Sequence, residues 1–288
     1  MPGLALKIIT DSAADLPPDF VSRHGIEVVP LMVYHGEREY EDGVTLQPAE
    51  LFAGMRDGQT YKTSQPLYGR FEAAFRRLAE NGDEGLYIAF SSELSGTHQT
   101  SLLVRQAVLD DYPSLGLDIV DSKCASLGLG LVVRYAAELA AGGASRLEVV
   151  QAVQAWSRRM EHIFTVDRLE YLVRGGRVSP VAAFIGGLLN IKPILHVEAG
   201  KLVPLEKVRG RKKVFARILD LMEERGAELR GQTIGISHGD DPEAAQELRD
   251  MIEARFGCDR FFVSSIGSAI GAHAGPGTIA LFFLNDRR

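Results

Sequence analysis

The stretch LYIAFSSELSGTHQTSLLVRQAVLD, residues 86–110, decides the fold class. Its first five residues are apolar and suit a buried strand, and Ser91–Gly96 form a polar loop. From Thr97 onward the apolar residues recur at helical spacing, so the stretch predicts a strand, a loop and a helix. The same order recurs along the chain, and alternating strands and helices predict an α/β protein with largely parallel sheets.

The predicted elements fall into two halves. Short apolar runs predict strands at Ala5–Thr10, Ile26–Tyr34, Leu86–Phe90, Leu117–Val120, Ile163–Val166, Pro193–Val197, Thr233–Ser237, Arg260–Ser264 and Ile279–Phe283. Amphipathic stretches predict helices at Pro48–Met55, Tyr68–Ala79, Thr97–Asp110, Leu127–Ala141, Arg146–Met160, Arg211–Leu229 and Pro242–Phe256. The helical region 125–160 separates the halves, which predicts an N-terminal α/β domain, residues 1–160, and a C-terminal α/β domain, residues 161–288. We expect them to pack directly around a cleft, where ligands of two-domain α/β proteins usually lie.

The composition excludes several classes of protein. The 288 residues carry 32 Lys and Arg against 38 Asp and Glu, a net charge of −6, which argues against a general nucleic-acid binder. The two cysteines, Cys124 and Cys258, provide neither a disulfide framework nor a zinc-binding spacing. The first residues do not resemble a signal peptide, and no apolar stretch is long enough to predict a membrane span. We therefore expect a soluble cytoplasmic protein.

Charge is distributed unevenly along the chain. Residues 1–100 carry 8 Lys and Arg against 15 Asp and Glu, a net −7, whereas residues 168–217 carry 11 against 3, a net +8. The basic segment suggests an anionic ligand or an acidic partner surface. A solvated helix face with compensating acids nearby is the alternative.

Several polar loops are candidates for a functional site. Asp11 and Asp15 follow the first predicted strand and suit either a metal or phosphoryl-transfer site or helix capping. The stretches Lys62–Pro66 and Ser91–Thr97 each precede a predicted helix, and their hydroxyls and free backbone N–H groups favour a carboxylate or phosphate site. N-capping alone is the other interpretation of each.

A histidine and two arginines complete the candidate set. His273 lies among three glycines and a proline, a composition that breaks helices, so we expect it in a loop where it contacts a ligand. Arg177 and Arg209 suit phosphoryl oxygens or a docking partner, because guanidinium binds such groups bidentately. The sequence has no Walker A motif, complete dinucleotide fingerprint, G-x-S-x-G or H-E-x-x-H, so nothing in it predicts an ATP site or a self-sufficient hydrolase.

Short segments spread over nearly the whole chain make it similar to the DegV family, whose bacterial members include the fatty-acid-binding subunits of fatty acid kinase. No single segment is specific to the family, but the order and spacing of the segments are. They are Ile8–Ser12, Thr63–Pro66, Leu94–Thr97, Val120–Ser122, Gly175–Ser179, Leu189–Pro193, Lys207–Arg209 and His273–Gly277. Two departures stand out, since Leu67-Tyr68 replace the small residues common after Ser-Gln-Pro and Gly210 replaces a common Thr.

The resemblance implies two α/β domains that hold one long-chain fatty acid between them, with no other cofactor. By that likeness Thr63 and Ser95 hydrogen-bond the carboxylate, Ser64 and Gly96 lie beside them, and His273 closes the site.

The resemblance also implies a partner. Arg177 and Arg209 match positions that face the kinase subunit or the phosphate that it transfers. That separate ATP-dependent subunit makes an acyl phosphate on the bound lipid, so this chain is expected to be a carrier and not an enzyme by itself. Transient contact with a membrane surface is compatible with this role.

Physical chemistry agrees with the implied ligand and leaves alternatives open. A buried acyl chain gains about 0.8 kcal/mol per CH₂, whereas an unpaired buried carboxylate costs several kcal/mol, so such a site needs an apolar tunnel with clustered donors at one end. The apolar stretch Phe184–Leu195, with Gly186-Gly187, suits a tunnel wall or ordinary core. Other functions are a metal-dependent phosphotransferase or hydrolase that uses Asp11, Asp15 and His273, or a regulatory interaction protein.

Overall fold

The computed structural model describes residues 6–179 and 191–286, and its sheets and helices confirm the α/β class. The strands are β1 (Leu6–Asp11), β2 (Glu27–Val29), β3 (Met32–His35), β4 (Arg38–Glu41), β5 (Lys62–Ser64), β6 (Glu84–Ala89), β7 (Gly116–Asp121), β8 (Met160–Thr165), β9 (Ile191–Glu198), β10 (Lys201–Arg209), β11 (Ile234–His238), β12 (Phe261–Ser265) and β13 (Ile279–Leu284). The helices are α1 (Pro18–His24), α2 (Pro48–Arg56), α3 (Tyr68–Asn81), α4 (Thr97–Asp111), α5 (Leu127–Ala141), α6 (Arg146–Arg159), α7 (Glu170–Arg174), α8 (Arg211–Arg225), α9 (Pro242–Phe256) and α10 (Ser268–Ala274).

The first sheet is parallel, as the sequence predicts, with strand order β2-β1-β6-β7. Consecutive residues Ile8 and Ile9 of β1 are both buried, because elements pack on both faces of the sheet. Thr10 pairs with Ile88, so β1 and β6 end side by side. The polar loops after these two strands therefore emerge at the same edge of the sheet.

The second sheet differs from the expected largely parallel arrangement. Its order is β10-β9-β8-β13-β11-β12, and among these described strands β11 and β12 form the one parallel pair. Ala199 and Gly200, with φ of 48° and 84°, make the tight turn that pairs β9 with β10 antiparallel. Strand β10 is not predicted from the sequence, because charged residues interrupt its apolar pattern and leave it half-exposed.

A small antiparallel sheet, β4-β3-β5, lies in the N-terminal half. The apolar run 26–34, predicted as one strand, is divided between β2 and β3 around Pro30, since proline cannot donate to a ladder. Strand β5 pairs with β3 and carries Thr63 and Ser64.

The two halves pack directly against each other. One apolar core contains Ile8 and Phe90 from the N-terminal half together with Phe164 and Phe282 from the C-terminal half. Helix α5 contacts β1 and β6 of the first sheet and β8, β11 and β13 of the second. The division at residue 160 itself stays a prediction. Among the helices that the structure describes, none combines the length and the apolarity that a membrane span requires.

Candidate ligand-binding site

A cavity lies where the two halves meet, a place where ligand sites commonly occur. Most of its lining side chains are apolar and come from both halves, which satisfies the first requirement for an acyl chain. The apolar lining residues are Leu31, Phe90, Leu94, Ala125, Phe164, Leu172, Val197, Leu202, Ile266, Ala269, Ile270, Ala274, Ala280 and Phe282.

Strands β8 and β13 form one long wall of this cavity. Ala280 and Phe282 of β13 line it because alternate residues of a strand point to one face, and Thr278, just before the strand, lines the cavity as well. Phe282 pairs with His162 and Ala280 with Phe164, so the two strands line the cavity side by side.

The far end of this wall contains a neutral histidine. The Ala125 N–H donates to Nε2 of His162 at 3.2 Å, and Nδ1 lies 3.2 Å from the Met160 carbonyl oxygen. Burial lowers the pKa of His162 to about 4, so the ring is uncharged at neutral pH. Both ring nitrogens have partners within the protein, and the ring forms part of the cavity wall.

Polar side chains gather at the other end of the wall, where the structure brings together Thr63, Ser64, Ser95, Arg177 and His273. Thr63 Oγ1 and His273 Nε2 are 2.6 Å apart, within hydrogen-bond distance. Burial, followed by the nearby charges of Arg177 and of Arg174, lowers the pKa of His273 to about 4. The imidazole is therefore neutral at pH 7.

His273 lies in helix α10, so the expectation of a loop is wrong. The glycines that argued against a helix serve close packing instead: a β-carbon on Gly271 would lie 2.8 Å from atoms of Leu51 and Phe52. The helix ends where Gly275 takes a φ of 82°. A side chain there would collide with the ring of Tyr171.

Two buried carboxylates hold the start of α10. Asp15 Oδ1 accepts from the Gly267 N–H at 2.8 Å, and Asp42 Oδ1 accepts from the Ser268 N–H at 2.6 Å. Burial raises the pKa of Asp15 well above its usual value and that of Asp42 to about 6. Asp15 therefore positions the helix that carries His273, and it is not among the residues that line the cavity.

The carboxylate of Asp11 also contacts only neighbouring parts of the fold. Oδ2 accepts from the Tyr87 hydroxyl at 2.7 Å and from the Phe90 N–H at 2.9 Å, while Oδ1 accepts from the Ala13 N–H at 3.2 Å. Burial raises its pKa to about 6. The structure does not bring Asp11 or Asp15 to the cavity beside His273, the arrangement that a phosphotransferase or hydrolase would need.

The two hydroxyl clusters differ in local structure. Ser95 lies two residues before the first residue of α4, and its Oγ accepts from the Thr97 N–H at 3.3 Å and lies 2.8 Å from Thr97 Oγ1. Thr63 and Ser64 instead lie on strand β5, not at a helix N-terminus as the sequence suggests. Gly96 is exposed outside the cavity, and a β-carbon there would collide with Gln65 Oε1.

The two candidate arginines lie in different parts of the structure. Arg177 is half-buried at the polar end, where its guanidinium donates to the carbonyl oxygens of Leu94 at 3.1 Å and Gly175 at 2.7 Å. Burial lowers its pKa. Arg209 ends β10, is exposed and does not line the cavity. Of the predicted tunnel wall Phe184–Leu195, residues 184–190 lie outside the described residues, and Leu195 belongs to the core.

Sequence patterns alone do not single out His162 and Ser126, which also line the cavity. A histidine within the strand-like run 160–166, next to the apolar Ile163 and Phe164, is the signal that could have found His162. Ser126 has a φ of 51°, a strained backbone that no pattern reveals, and its hydroxyl bonds Asp15 and Ser237. Across residues 6–179 and 191–286, no three His, Cys, Asp or Glu side chains cluster as a metal site would.

Comparisons with known proteins agree with the fold. A family model described as an uncharacterised protein of the DegV family matches residues 5–286. A DegV domain-containing protein of Clostridium perfringens is 41% identical over 284 residues, which cover 98% of each chain. A Thermus thermophilus DegV family protein solved for its fatty acid binding shares 32% identity at a TM-score of 0.88, covering 98% of this chain and 100% of that one. DegV of Bacillus subtilis, described as a fatty acid binding protein, shares 29% identity at a TM-score of 0.86, covering 99% and 100%.

Proposed function

Because the chain belongs to the DegV family, we propose that it binds one long-chain fatty acid in the cavity and presents the carboxylate to a separate ATP-dependent kinase subunit. That subunit converts the carboxylate to an acyl phosphate. The fatty acid binding of the Thermus thermophilus and Bacillus subtilis relatives supports the first part of the proposal.

One observation carries the proposal: an apolar cavity ends in a cluster of uncharged donors and a single cation. Thr63, Ser95 and His273 form that cluster, and Arg177 lies beside them. A long acyl chain gains roughly 10 kcal/mol gross on burial at about 0.8 kcal/mol per CH₂. The clustered donors remove the several kcal/mol that an unpaired carboxylate would otherwise cost. The apolar lining therefore buries the acyl chain, and the clustered donors provide hydrogen bonds for the carboxylate.

The head group is held by hydroxyls that a histidine orients. With its proton on Nε2, neutral His273 donates to Thr63 Oγ1 across the 2.6 Å contact. The Thr63 hydroxyl proton is then free to point at the carboxylate. Ser95 supplies a second hydroxyl, and Ser64 also lines the cavity. Arg209, exposed at the end of β10, is assigned to the surface that meets the kinase subunit.

Lipid extraction tests the first part of the proposal. The protein is purified from bacteria, denatured and extracted, and mass spectrometry is expected to find one long-chain fatty acid per chain. A binding titration with a fluorescent fatty acid gives the affinity of delipidated protein. An extract without fatty acid, together with no binding on titration, would overturn the proposal.

A trapping assay tests the second part. Lipid-loaded protein is incubated with ATP, hydroxylamine and a purified bacterial fatty acid kinase subunit, and formation of the acyl hydroxamate is expected. Omission of the kinase subunit is the control and should abolish the product. Binding of lipid without any hydroxamate would leave a fatty acid carrier and remove the kinase role.

A further inference from the structure

The hairpin of β9 and β10 leaves the second sheet before it turns. Strand β9 pairs with β8 from Ile194 to His196, and residues 197–202, which we call the hairpin tip, extend beyond this pairing. Within the tip Val197 and Leu202 pair with each other, and both line the apolar cavity. The tip therefore forms part of the cavity wall without being paired to the body of the sheet.

The wall of the cavity is thin beside the hairpin tip. Leu94, Arg177 and Leu202 line both the apolar cavity and a depression on the surface of the protein. Lys201 and Val203 of the same hairpin line the surface depression alone. One layer of side chains thus separates the cavity from the surface at this place, and displacement of the tip would open it.

The turn of the hairpin is buried against the N-terminal half. Gly200 is buried, although connecting turns usually lie at the surface. Ser91, which follows β6, donates from Oγ to the Gly200 carbonyl oxygen at 2.8 Å. A β-carbon on Gly200 would lie 2.6 Å from Ser91 Oγ and 2.8 Å from Lys123 Cδ, so the turn fits closely between the loops after β6 and β7. We call Ser91, Glu93 and Lys123 the clasp residues.

Ion pairs lie around this hydrogen bond. The two carboxylate oxygens of Glu93 lie 3.1 Å from Lys123 Nζ and 3.5 Å from Lys201 Nζ. Both lysine side chains are exposed, and ion pairs between exposed groups contribute little to stability. The buried hydrogen bond between Ser91 and Gly200 is therefore the main polar contact that holds the turn in place.

We propose that the hairpin tip is a lid over the apolar cavity, that the clasp residues hold it closed, and that an acyl chain enters and leaves when the tip detaches. The inference rests on the proposed function, because it takes a fatty acid as the ligand. Entry of a long chain between two packed halves requires part of the wall to move. The tip suits this movement, since the strands of the other wall, β8 and β13, are paired with each other along their whole length.

The ligand and the clasp residues act on the same equilibrium. Val197 and Leu202 meet an acyl chain when the lid is closed, so a bound chain favours the closed state. Ser126 also lines the cavity, and it lies in the same loop as Lys123. Both residues hold a left-handed backbone, with φ of 51° and 54°. The loop that holds the turn is thus also a loop that the ligand touches.

Exchange kinetics test the lid, with delipidated full-length protein and a fluorescent fatty acid in stopped flow. Ser91→Ala removes the hydrogen bond to Gly200, so the tip detaches more often. The association and dissociation rate constants should both rise about tenfold, as expected for loss of one buried hydrogen bond. The equilibrium affinity should change by less than about twofold, because both rates change together. Unchanged rates would overturn the lid, and so would faster dissociation with weaker affinity.

Ser101→Ala is the matched control. Ser101 on α4 is also fully buried and donates to a backbone carbonyl oxygen, that of His98, at 2.7 Å. It does not line the cavity, and its variant should exchange fatty acid at the wild-type rates. Equal acceleration in the Ser91 and Ser101 variants would contradict the lid, because general loosening of the N-terminal half would then account for both.

Cross-linking provides a test that does not depend on the folding of the Ser91 variant. Glu93→Cys combined with Lys201→Cys places one thiol on each side of the contact between the tip and the N-terminal half. The native cysteines, Cys124 and Cys258, are buried and stay unreactive. A short bismaleimide with a cleavable disulfide should slow uptake of the fluorescent fatty acid at least tenfold, and dithiothreitol should restore it. Uptake by cross-linked protein at the uncross-linked rate would show that the tip is not the lid.

Failure of the lid and failure of the proposed function give different results. If the wild type binds the fluorescent fatty acid while the Ser91 variant and the cross-linked protein exchange it at wild-type rates, the lid is overturned and the fatty acid proposal survives. Absence of binding by the wild type would remove both.

Discussion

Gly175 lies against the imidazole of His273, so closely that a β-carbon at position 175 would collide with Nδ1. The glycine follows α7 and the histidine belongs to α10, so the contact joins two helices 98 residues apart in the chain, 273 minus 175. With one side of the ring against this backbone, Nε2 points at Thr63. The glycine thus sets the orientation of the histidine at the polar end of the cavity.

Gly175→Ala should therefore weaken fatty acid binding by pushing the imidazole away from Thr63. The φ of Gly175 is −74°, so alanine strains no backbone there and the collision with His273 is the main effect. We expect an affinity loss of about 1–3 kcal/mol, measured by titration with a fluorescent fatty acid. Gly69→Ala is the control, because a β-carbon there meets nothing within 4 Å. Wild-type affinity in the Gly175 variant would mean that the ring position does not matter.

Thr63→Val should lower affinity without disturbing the packing of β5, because valine has nearly the shape of threonine. Loss of a hydroxyl that pairs with a buried charge costs about 1–3 kcal/mol. The same titration gives the change, and Ser95→Ala is expected to act in the same direction. Thr100→Val on α4, outside the cavity, is the matched control. If the Thr63 and Thr100 variants bind alike, Thr63 does not contact the ligand.

His162→Gln should change how stability depends on pH. The folded pKa of His162 is about 4, below the unfolded value of 6.5, so the unfolded chain binds the extra proton. Wild-type stability from this group is complete above pH 6.5 and falls as the pH drops toward 4, by roughly 3 kcal/mol. Urea unfolding at several pH values should show the free-energy advantage of wild type over variant shrinking in that window. An advantage independent of pH would contradict the buried neutral ring.

Asp42→Asn should show the opposite slope. The folded pKa of Asp42 is about 6 against a usual 3.8, so the folded state binds the extra proton and burial of the charge destabilises it above pH 6. Relative to this variant, wild-type stability should rise as the pH falls from 6 to 3.8, by roughly 3 kcal/mol. Asp19→Asn, at an exposed site on α1, controls for general charge effects. Parallel pH curves for wild type and the Asp42 variant would contradict this prediction.

The sequence predicts the parts of this molecule that depend on local pattern. Apolar runs and helical spacing indicate the α/β class and the parallel sheet, and hydroxyls in polar loops indicate Thr63 and Ser95. The glycine content around His273 wrongly predicts a loop. The packing of α10 against Phe52 outweighs the low helix propensity of Gly271. The polar end of the cavity also depends on a contact between Thr63 and His273, and no local pattern encodes a pairing over that distance.

Strand β13 has a consequence for the order in which the molecule forms during synthesis. It lies between β8 and β11 in the middle of the second sheet, and Ala280 and Phe282 line the cavity. A nascent chain that stops before residue 279 lacks this central strand and the wall that it supplies. Even if the N-terminal sheet folds first on the ribosome, the cavity closes only when residues 279–284 have emerged. A nascent chain can therefore hold a ligand in this cavity only after β13 has joined the second sheet.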